Sequence, residues 1–176
     1  MTDQELRAAA MDVLDRCRAR GLKIATAESC TGGLVAAWLT EIPGSSDVVD
    51  RGFVTYSNDA KRTMLEVTSE ILEKHGAVSR ATVEAMARGA LAQSGADLAV
   101  AITGVAGPGG GSIDKPVGLV HFAAATRAGR LMHREQRYGD IGRSEVRRLS
   151  VLQALDLLAE LAKGGAGRAL PDGSAA

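Results

Sequence analysis

The sequence predicts an α/β fold, a three-layer α/β/α sandwich with a mixed sheet. Helical and strand patterns alternate over residues 1–103, and an antiparallel hairpin pattern follows them. Aromatic residues make up only 3% of the chain, whereas Gly occurs 21 times, so the core is built mainly from Ala, Val, Leu and Ile. A chain of 176 residues fits one hydrophobic core, which we place in a single domain over residues 1–163.

The first three elements are a helix, a strand and a second helix. Thr2 and Glu5 have the spacing of a capping box, and apolar residues then recur at helical intervals from Leu6 until Gly21 ends the helix. Residues 22–26 are typical of a short strand. The apolar face of the second helix begins near Thr31.

The later elements complete the predicted sheet and its covering layers. Alternation over residues 49–55 predicts a second strand, and helices are expected at 58–65, 69–74 and 79–93, the last capped by Ser79. The near-continuous apolar run at 97–103 is typical of a strand covered on both faces. A hairpin at 117–126 and 130–138 and a helix at 145–162 follow. Residues 164–176 lack hydrophobic periodicity, and we expect a disordered tail there.

Composition excludes several classes of protein. Because 21 basic residues balance 21 acidic ones, nothing calls for a nucleic acid or a membrane as partner. Cys17 and Cys30 are too few for a disulfide framework, and the polar amino terminus lacks the apolar core of a signal peptide. We therefore expect a cytoplasmic protein. The cysteines and histidines lack the spacing of known zinc sites, so no metal and no cofactor are expected.

Ser29 lies at a predicted strand-to-helix turn. The unpaired amides of a first helical turn carry partial positive charge, so an oxyanion formed at Ser29 would be stabilised there. The expected donors, each contributing about 3 kcal/mol, are the backbone amides of Cys30, Thr31, Gly32 and Gly33. An equally open interpretation is that Ser29 or Thr31 only caps the helix.

The base that would activate Ser29 is not a histidine. Ala27 and Thr31 occupy the positions of the two glycines of a nucleophile elbow, and the three histidines have no acidic partner at a telling spacing. Lys61 is the candidate, because a partly desolvated lysine can lose its proton near neutral pH. The alternative is a solvated lysine on a short helix.

Two further features favour the binding of an anionic ligand. Five of the nine residues at 104–112 are Gly, so the segment is a loop at a strand end, suited to binding phosphate or ribose through backbone amides. Arg143 and Arg147 lie near the start of the last helix, where positive side chains oppose the helix dipole, and Arg137 precedes them. A solvated face balanced by Asp140 and Glu145 explains the arginines equally well.

Several motifs together resemble the nicotinamide-nucleotide amidase family, which also forms the carboxy-terminal domain of CinA proteins. The principal match is Thr26-Ala27-Glu28-Ser29-Cys30-Thr31-Gly32-Gly33. Further matches are residues 43–46, 51–58, 60–61, 77–79, 101–110 and Lys115-Pro116-Val117-Gly118, which spread the resemblance over about residues 5–160. The resemblance implies the stand-alone form of the family, without the CinA amino-terminal domain.

The resemblance also implies an activity, the hydrolysis of nicotinamide mononucleotide to nicotinate mononucleotide and ammonia. Ser29 would be the nucleophile and Lys61 the base. The protein would form a homodimer and would bind a small nucleotide as its substrate. The pocket would be lined by Tyr56, Asn58, Thr103, Gly104, Gly107 and Gly109, with Arg137, Arg143 or Arg147 on the 5′-phosphate.

One departure from the family pattern concerns the segment before the last helix. Ile141-Gly142 is an apparent insertion relative to the family's spacing, and it leaves open which arginine reaches the ligand. Two other functions remain open as well: a non-catalytic nucleotide-binding or regulatory module, and an amidase for another small carboxamide.

Overall fold

The computed structural model describes residues 2–164, so most of the tail predicted at 164–176 lies outside the described residues. The helices within this range are α1 (Asp3–Ala19), α2 (Leu34–Thr40), α3 (Asn58–Leu65), α4 (Ser69–His75), α5 (Arg80–Ala92) and α6 (Arg143–Lys163). The strands are β1 (Ile24–Glu28), β2 (Val49–Val54), β3 (Leu98–Gly104), β4 (Leu119–Thr126) and β5 (Leu131–Arg137). A 3₁₀ turn at Ser45–Asp47 precedes β2.

The five strands form one mixed sheet in the order β2-β1-β3-β4-β5. β1 pairs in parallel with both β2 and β3, whereas β4 is antiparallel to β3 and to β5. The late hairpin is therefore the antiparallel edge of an otherwise parallel sheet. The predicted fold class is confirmed.

Helices cover both faces of the sheet and give the predicted three layers. Side chains of successive strand residues point to opposite faces, so Ile24 and Phe122 join the core under α1, α2 and α6, while Leu65 and Met86 belong to the core on the other face. This second core lies under α3, α4 and α5.

Alanine dominates the strand surface that α5 covers. A sheet surface of methyl groups lets a helix approach closely, which explains how a chain with so few aromatic residues fills its core. The alanines of this surface in β1, β3 and β4 are Ala25, Ala27, Ala99, Ala101, Ala123 and Ala125.

The carboxyl ends of β1 and β2 border a crevice. The chain leaves β1 toward the face that α2 covers, and it leaves β2 toward the opposite face, which α3 covers. Neighbouring parallel strands whose connections diverge in this way open a crevice, and α/β proteins bind ligands there. Ser29 follows β1 and Thr55 follows β2, so the fold places both residues at this crevice.

Helix α2 begins three residues later than predicted. Gly32 and Gly33 adopt φ values of 60° and 97°, in the left-handed region that glycine occupies without steric cost. The helix cannot include residues in this conformation, so it starts at Leu34. Ser29 thus lies in a tight turn, separated from the helix by residues 30–33.

No helix among residues 2–164 is both long enough and apolar enough to cross a lipid bilayer.

Gly89 of α5 allows α5 to pack against the end of α3, the helix that carries Lys61. A Cβ atom at this position would overlap the backbone carbonyl of Leu65. Replacing Gly by Ala inside a helix normally stabilises a protein by up to about 1 kcal/mol. Here we expect Gly89→Ala to lower the free energy of unfolding by about 1–3 kcal/mol, because the clash forces the helices apart.

Urea denaturation measures this change. Gly95→Ala is the matched control, because its Cβ would have no neighbour closer than Asp50 Oδ1 at 4.0 Å. An equal or higher stability of Gly89→Ala would contradict the account of the α3–α5 contact.

Candidate active site

Lys61 and Ser29 meet in the crevice between β1 and β2. Ser57 caps α3 by accepting a hydrogen bond from the Ala60 amide, and Lys61 lies on the buried face of that helix with only 1% of its surface exposed. Its Nζ lies 3.1 Å from Ser29 Oγ and donates a hydrogen bond of 2.8 Å to the Thr55 carbonyl. The structure thus brings together the two residues that sequence analysis assigned as nucleophile and base.

Burial favours the neutral form of the Lys61 amine. Removal from water lowers the pKa of Lys61, and the opposing effect of the nearby Cys30 is smaller. In the neutral amine one N–H still donates to the Thr55 carbonyl, which leaves the nitrogen lone pair for the Ser29 proton. A proton can therefore pass from Ser29 Oγ to Nζ over a single hydrogen bond.

Glu28 fixes the turn that carries Ser29. This last residue of β1 is fully buried, and its carboxylate accepts hydrogen bonds from the amides of Gly33, Val35 and Ala36 at 2.9–3.0 Å. The carboxylate thus satisfies the first amides of α2, where the helix dipole favours a negative charge. Sequence analysis missed this role; an acidic residue between a strand and a glycine pair was the available signal.

The amides after Ser29 divide into two groups. The Gly33 amide donates to Glu28 and the Gly32 amide donates to the Ser29 carbonyl at 3.0 Å, so two of the four expected oxyanion donors are already engaged. The amides of Cys30 and Thr31 donate to no carbonyl or carboxylate within residues 2–164. They are the donors that remain open to an oxyanion.

Arg147 reaches the same turn from α6. Its Nε donates to the Cys30 carbonyl at 3.1 Å and its Nη2 to the Thr31 carbonyl at 2.8 Å. The structure therefore directs this guanidinium at the backbone of the Ser29 turn, residues 29–33, although the sequence placed Arg147 among the candidates for phosphate binding.

Arg143 joins two walls of the crevice. It is the first residue of α6, and its guanidinium donates to the Gly107 carbonyl at 3.0 Å and to the Tyr56 hydroxyl at 2.9 Å. Tyr56 is 60% exposed, and Arg143 is exposed as well. The contact connects the loop after β2 with the glycine-rich loop after β3, as expected of residues that border a ligand site.

The other predicted binding residues differ in their surroundings. Arg137, at the end of β5, pairs with Glu135 at 2.8 Å. The Thr103 hydroxyl is buried and donates to the Ala77 carbonyl at 2.8 Å. Asn58 is exposed at the start of α3. In the glycine-rich loop, Gly104 ends β3 and Gly109 is exposed.

Cys30 is a buried residue of low reactivity despite its position next to Ser29. It packs in the core on the α6 side of the sheet, and burial raises the pKa of its thiol to about 12. Because the thiolate is the nucleophilic form, Cys30 is a poor nucleophile at neutral pH.

No group of three or more His, Cys, Asp or Glu side chains within residues 2–164 is arranged to hold a metal ion. His121 and His133 face each other across β4 and β5 with ring nitrogens 3.2 Å apart. Burial lowers the pKa of both histidines, which favours their neutral forms.

A large cavity lies at the opposite end of the strands from Ser29, which is not among its lining residues. Its volume is about 760 Å³, and it is lined by the residues that begin β3 and end β4, together with Arg20 after α1 and the arginines of the hairpin turn. Two of these arginines are committed to backbone carbonyls, Arg20 to that of Ala162 and Arg127 to those of Leu91, Ser94 and Ala96. The candidate chemistry therefore lies in the crevice and not in this cavity.

Comparison with known proteins agrees with the motifs around Ser29 and Lys61. The family model for the CinA C-terminal domain matches residues 6–162, which is most of the chain. The chain belongs to the CinA C-terminal domain family. A crystal structure of this family, the competence/damage inducible protein CihA from Agrobacterium tumefaciens, has a TM-score of 0.88 and 57% sequence identity, over 89% of this chain and 95% of that one.

Relatives within the CinA family differ in length. A protein of Escherichia coli K12 named nicotinamide-nucleotide amidohydrolase PncC is 52% identical over 159 residues, which are 90% of this chain and 95% of the relative. A CinA-like protein of Synechococcus is 56% identical over 147 residues, 83% of this chain. The chain spans only about a third of that longer relative, since the match takes up 35% of its length.

Glu28→Gln tests the carboxylate that fixes the Ser29 turn. The amide side chain keeps the shape of Glu28 but turns an NH₂ group toward backbone amides that need an acceptor. We expect the free energy of unfolding to fall by about 1–3 kcal/mol, because buried donors lose their partner. Urea denaturation measures the loss.

Glu41→Gln is the matched control. The Glu41 carboxylate is exposed after the end of α2, and at 3.9 Å from Arg7 it is too distant for a hydrogen bond. We expect it to change stability by no more than about 0.5 kcal/mol. Equal effects of the two substitutions would show that the Glu28 carboxylate has no special part in holding the turn.

Proposed function

We propose that this chain hydrolyses the carboxamide of nicotinamide mononucleotide to nicotinate mononucleotide and ammonia, a step of pyridine-nucleotide recycling. The contact of 3.1 Å between Lys61 Nζ and Ser29 Oγ carries the proposal, because it pairs a nucleophile with a desolvated base. The E. coli relative named as a nicotinamide-nucleotide amidohydrolase, 52% identical over 90% of this chain, supports the substrate class.

The first half of the reaction forms an acyl-enzyme. Ser29 Oγ attacks the carboxamide carbon while its proton moves to Lys61 Nζ, and the carbonyl oxygen becomes an oxyanion near the Cys30 and Thr31 amides. The C–N bond then breaks, the nitrogen takes the proton from Lys61, and ammonia leaves. The product of this half-reaction is a nicotinoyl ester on Ser29.

The second half of the reaction releases the acid. Water gives a proton to Lys61 and attacks the ester carbon, and the same amides hold the second oxyanion. The C–O bond to Ser29 breaks, and Ser29 Oγ takes the proton back from Lys61. Only side chains and backbone amides of this chain, together with water, take part in these steps.

Arg143 is the arginine best suited to the 5′-phosphate. Arg147 donates hydrogen bonds to two carbonyls of the Ser29 turn, and Arg137 is paired with Glu135. Arg143, in contrast, lies exposed at the rim of the crevice. Two of its N–H groups hold Gly107 and Tyr56, and the rest can bind phosphate. Tyr56, Asn58, Thr103, Gly104, Gly107 and Gly109 are proposed to line the rest of the pocket. The homodimer and the cytoplasmic location stay predictions.

Ser29→Ala tests the nucleophile. We expect the release of ammonia from nicotinamide mononucleotide to fall at least about 1,000-fold, because no acyl-enzyme can form. Calorimetry should still detect binding of the nucleotide to this variant. Ser46→Ala, at an exposed position beyond α2, is the matched control and should keep full activity.

Turnover by Ser29→Ala at the wild-type rate would overturn the mechanism. Wild-type protein that binds the nucleotide without releasing ammonia would identify a binding module. Equal efficiency on free nicotinamide would argue against a phosphate site and for a different carboxamide substrate.

The pH dependence of kcat/KM tests Lys61. The neutral amine is the active form, and burial lowers its pKa from the ordinary value of 10.5. We therefore expect kcat/KM to rise with pH along a one-proton limb whose midpoint lies below 10.5, and then to level off. Lys61→Met should remove activity, whereas Lys74→Met, at an exposed position in α4, should leave the limb unchanged. A midpoint at or above 10.5 would contradict the role of Lys61.

A further inference from the structure

Arg147 donates hydrogen bonds to two consecutive carbonyls of the Ser29 turn. Its Nε and Nη2 donate to the carbonyls of Cys30 and Thr31 at 3.1 and 2.8 Å. A guanidinium presents its N–H groups in a rigid planar fork, so these two bonds fix both the position and the rotation of the carbonyl groups.

Fixing a carbonyl also fixes the amide on the same peptide plane. The peptide bonds 30–31 and 31–32 are trans, and in a trans peptide the C=O and the following N–H point in opposite directions. The bond from Arg147 to the Cys30 carbonyl therefore sets the direction of the Thr31 N–H. The bond to the Thr31 carbonyl sets that of the Gly32 N–H in the same way.

The layers of the fold determine which way these amides point. Arg147 belongs to α6, which covers one face of the sheet, whereas Lys61 belongs to α3, which covers the other. Carbonyls drawn toward α6 turn their amides toward the side of Lys61 and the Ser29 hydroxyl.

We propose that Arg147 is a positioning residue, which aims the Thr31 amide at the reacting carbonyl oxygen, and that it is not a ligand of the phosphate. This inference rests on the proposed function of the Ser29 turn. The positive charge on the carbonyl side also polarises the peptide and strengthens its N–H as a donor. Arg147 is only partly exposed, unlike Arg143 at the rim of the crevice, and both of its bonds go to backbone carbonyls of the Ser29 turn.

Kinetics of Arg147→Lys and Arg147→Ala on nicotinamide mononucleotide and on nicotinamide riboside, which lacks the phosphate, test the inference. We expect kcat to fall at least about 100-fold on both substrates, the size of effect seen when an oxyanion donor is lost, with KM for the mononucleotide changed little. Arg143→Ala gives the contrasting pattern, a raised KM for the mononucleotide alone. A raised KM for the mononucleotide with unchanged turnover of the riboside would overturn the inference.

Arg148→Ala is the matched control for a change of charge and length on the same helix. Arg148 pairs with Asp3 at the start of α1 at 2.6 Å, and its substitution should leave kcat near that of the wild type. Circular dichroism checks that each variant is folded.

Labelling of Ser29 by a fluorophosphonate separates this inference from the choice of substrate. The reagent phosphonylates an activated serine through an oxyanion on phosphorus, so it needs the same amides but no nucleotide. We expect labelling of both Arg147 variants to be at least about tenfold slower than that of the wild type. The wild type could release no ammonia from the mononucleotide while the Arg147 variants were still labelled more slowly than the wild type. The substrate assignment would then fail, and the role of Arg147 would stand. Equal labelling rates, or no labelling of wild-type Ser29, would overturn the inference.

Discussion

The local structure of the site depends on a single buried carboxylate. Glu28 ends β1, and its two oxygens collect the amides that begin α2, so strand, turn and helix are tied together at one point. A buried charge is tolerated there because backbone donors surround it. The turn between these contacts has little freedom, and Ser29 is therefore presented in one orientation.

The proposed base is obtained at a cost to the fold. Lys61 is buried with hydrogen bonds to a carbonyl and a hydroxyl, and its pKa is lowered because the charged form loses its hydration. In the unfolded chain the same lysine titrates normally, so its unfavourable contribution to folding shrinks as the pH rises through the lowered pKa. The alanine-rich sheet surface and the close α3–α5 contact supply the packing that holds the helix in place.

The architecture was predictable from the sequence because it follows from periodicity. Alternation, helical spacing and caps such as Thr2 and Ser79 are local signals, and the strands and helices that they predict are present in the described part of the chain. The start of α2 was wrong because two glycines in the left-handed region delay the helix, and backbone conformation is not readable from an apolar pattern. The residues alone made Lys61 a candidate base for Ser29 but left a solvated lysine open, and the resemblance to a known family decided between the two. The separation of Ser29 and Lys61 along the chain gives no sign of contact.

The contacts that sequence reasoning could not supply are those between distant backbone and side-chain groups. Nothing local distinguishes Arg147, bonded to carbonyls 116 and 117 residues away, from Arg143 on the same helix. Lys61 and Arg147 approach Ser29 from helices on opposite faces of the sheet. In a partly folded chain that lacks either helical layer, Ser29 is therefore present without Lys61 of α3 or without Arg147 of α6. Under the proposed function, turnover of a carboxamide reports complete assembly of the fold, because it is lost when either helical layer detaches even while most of the sheet persists.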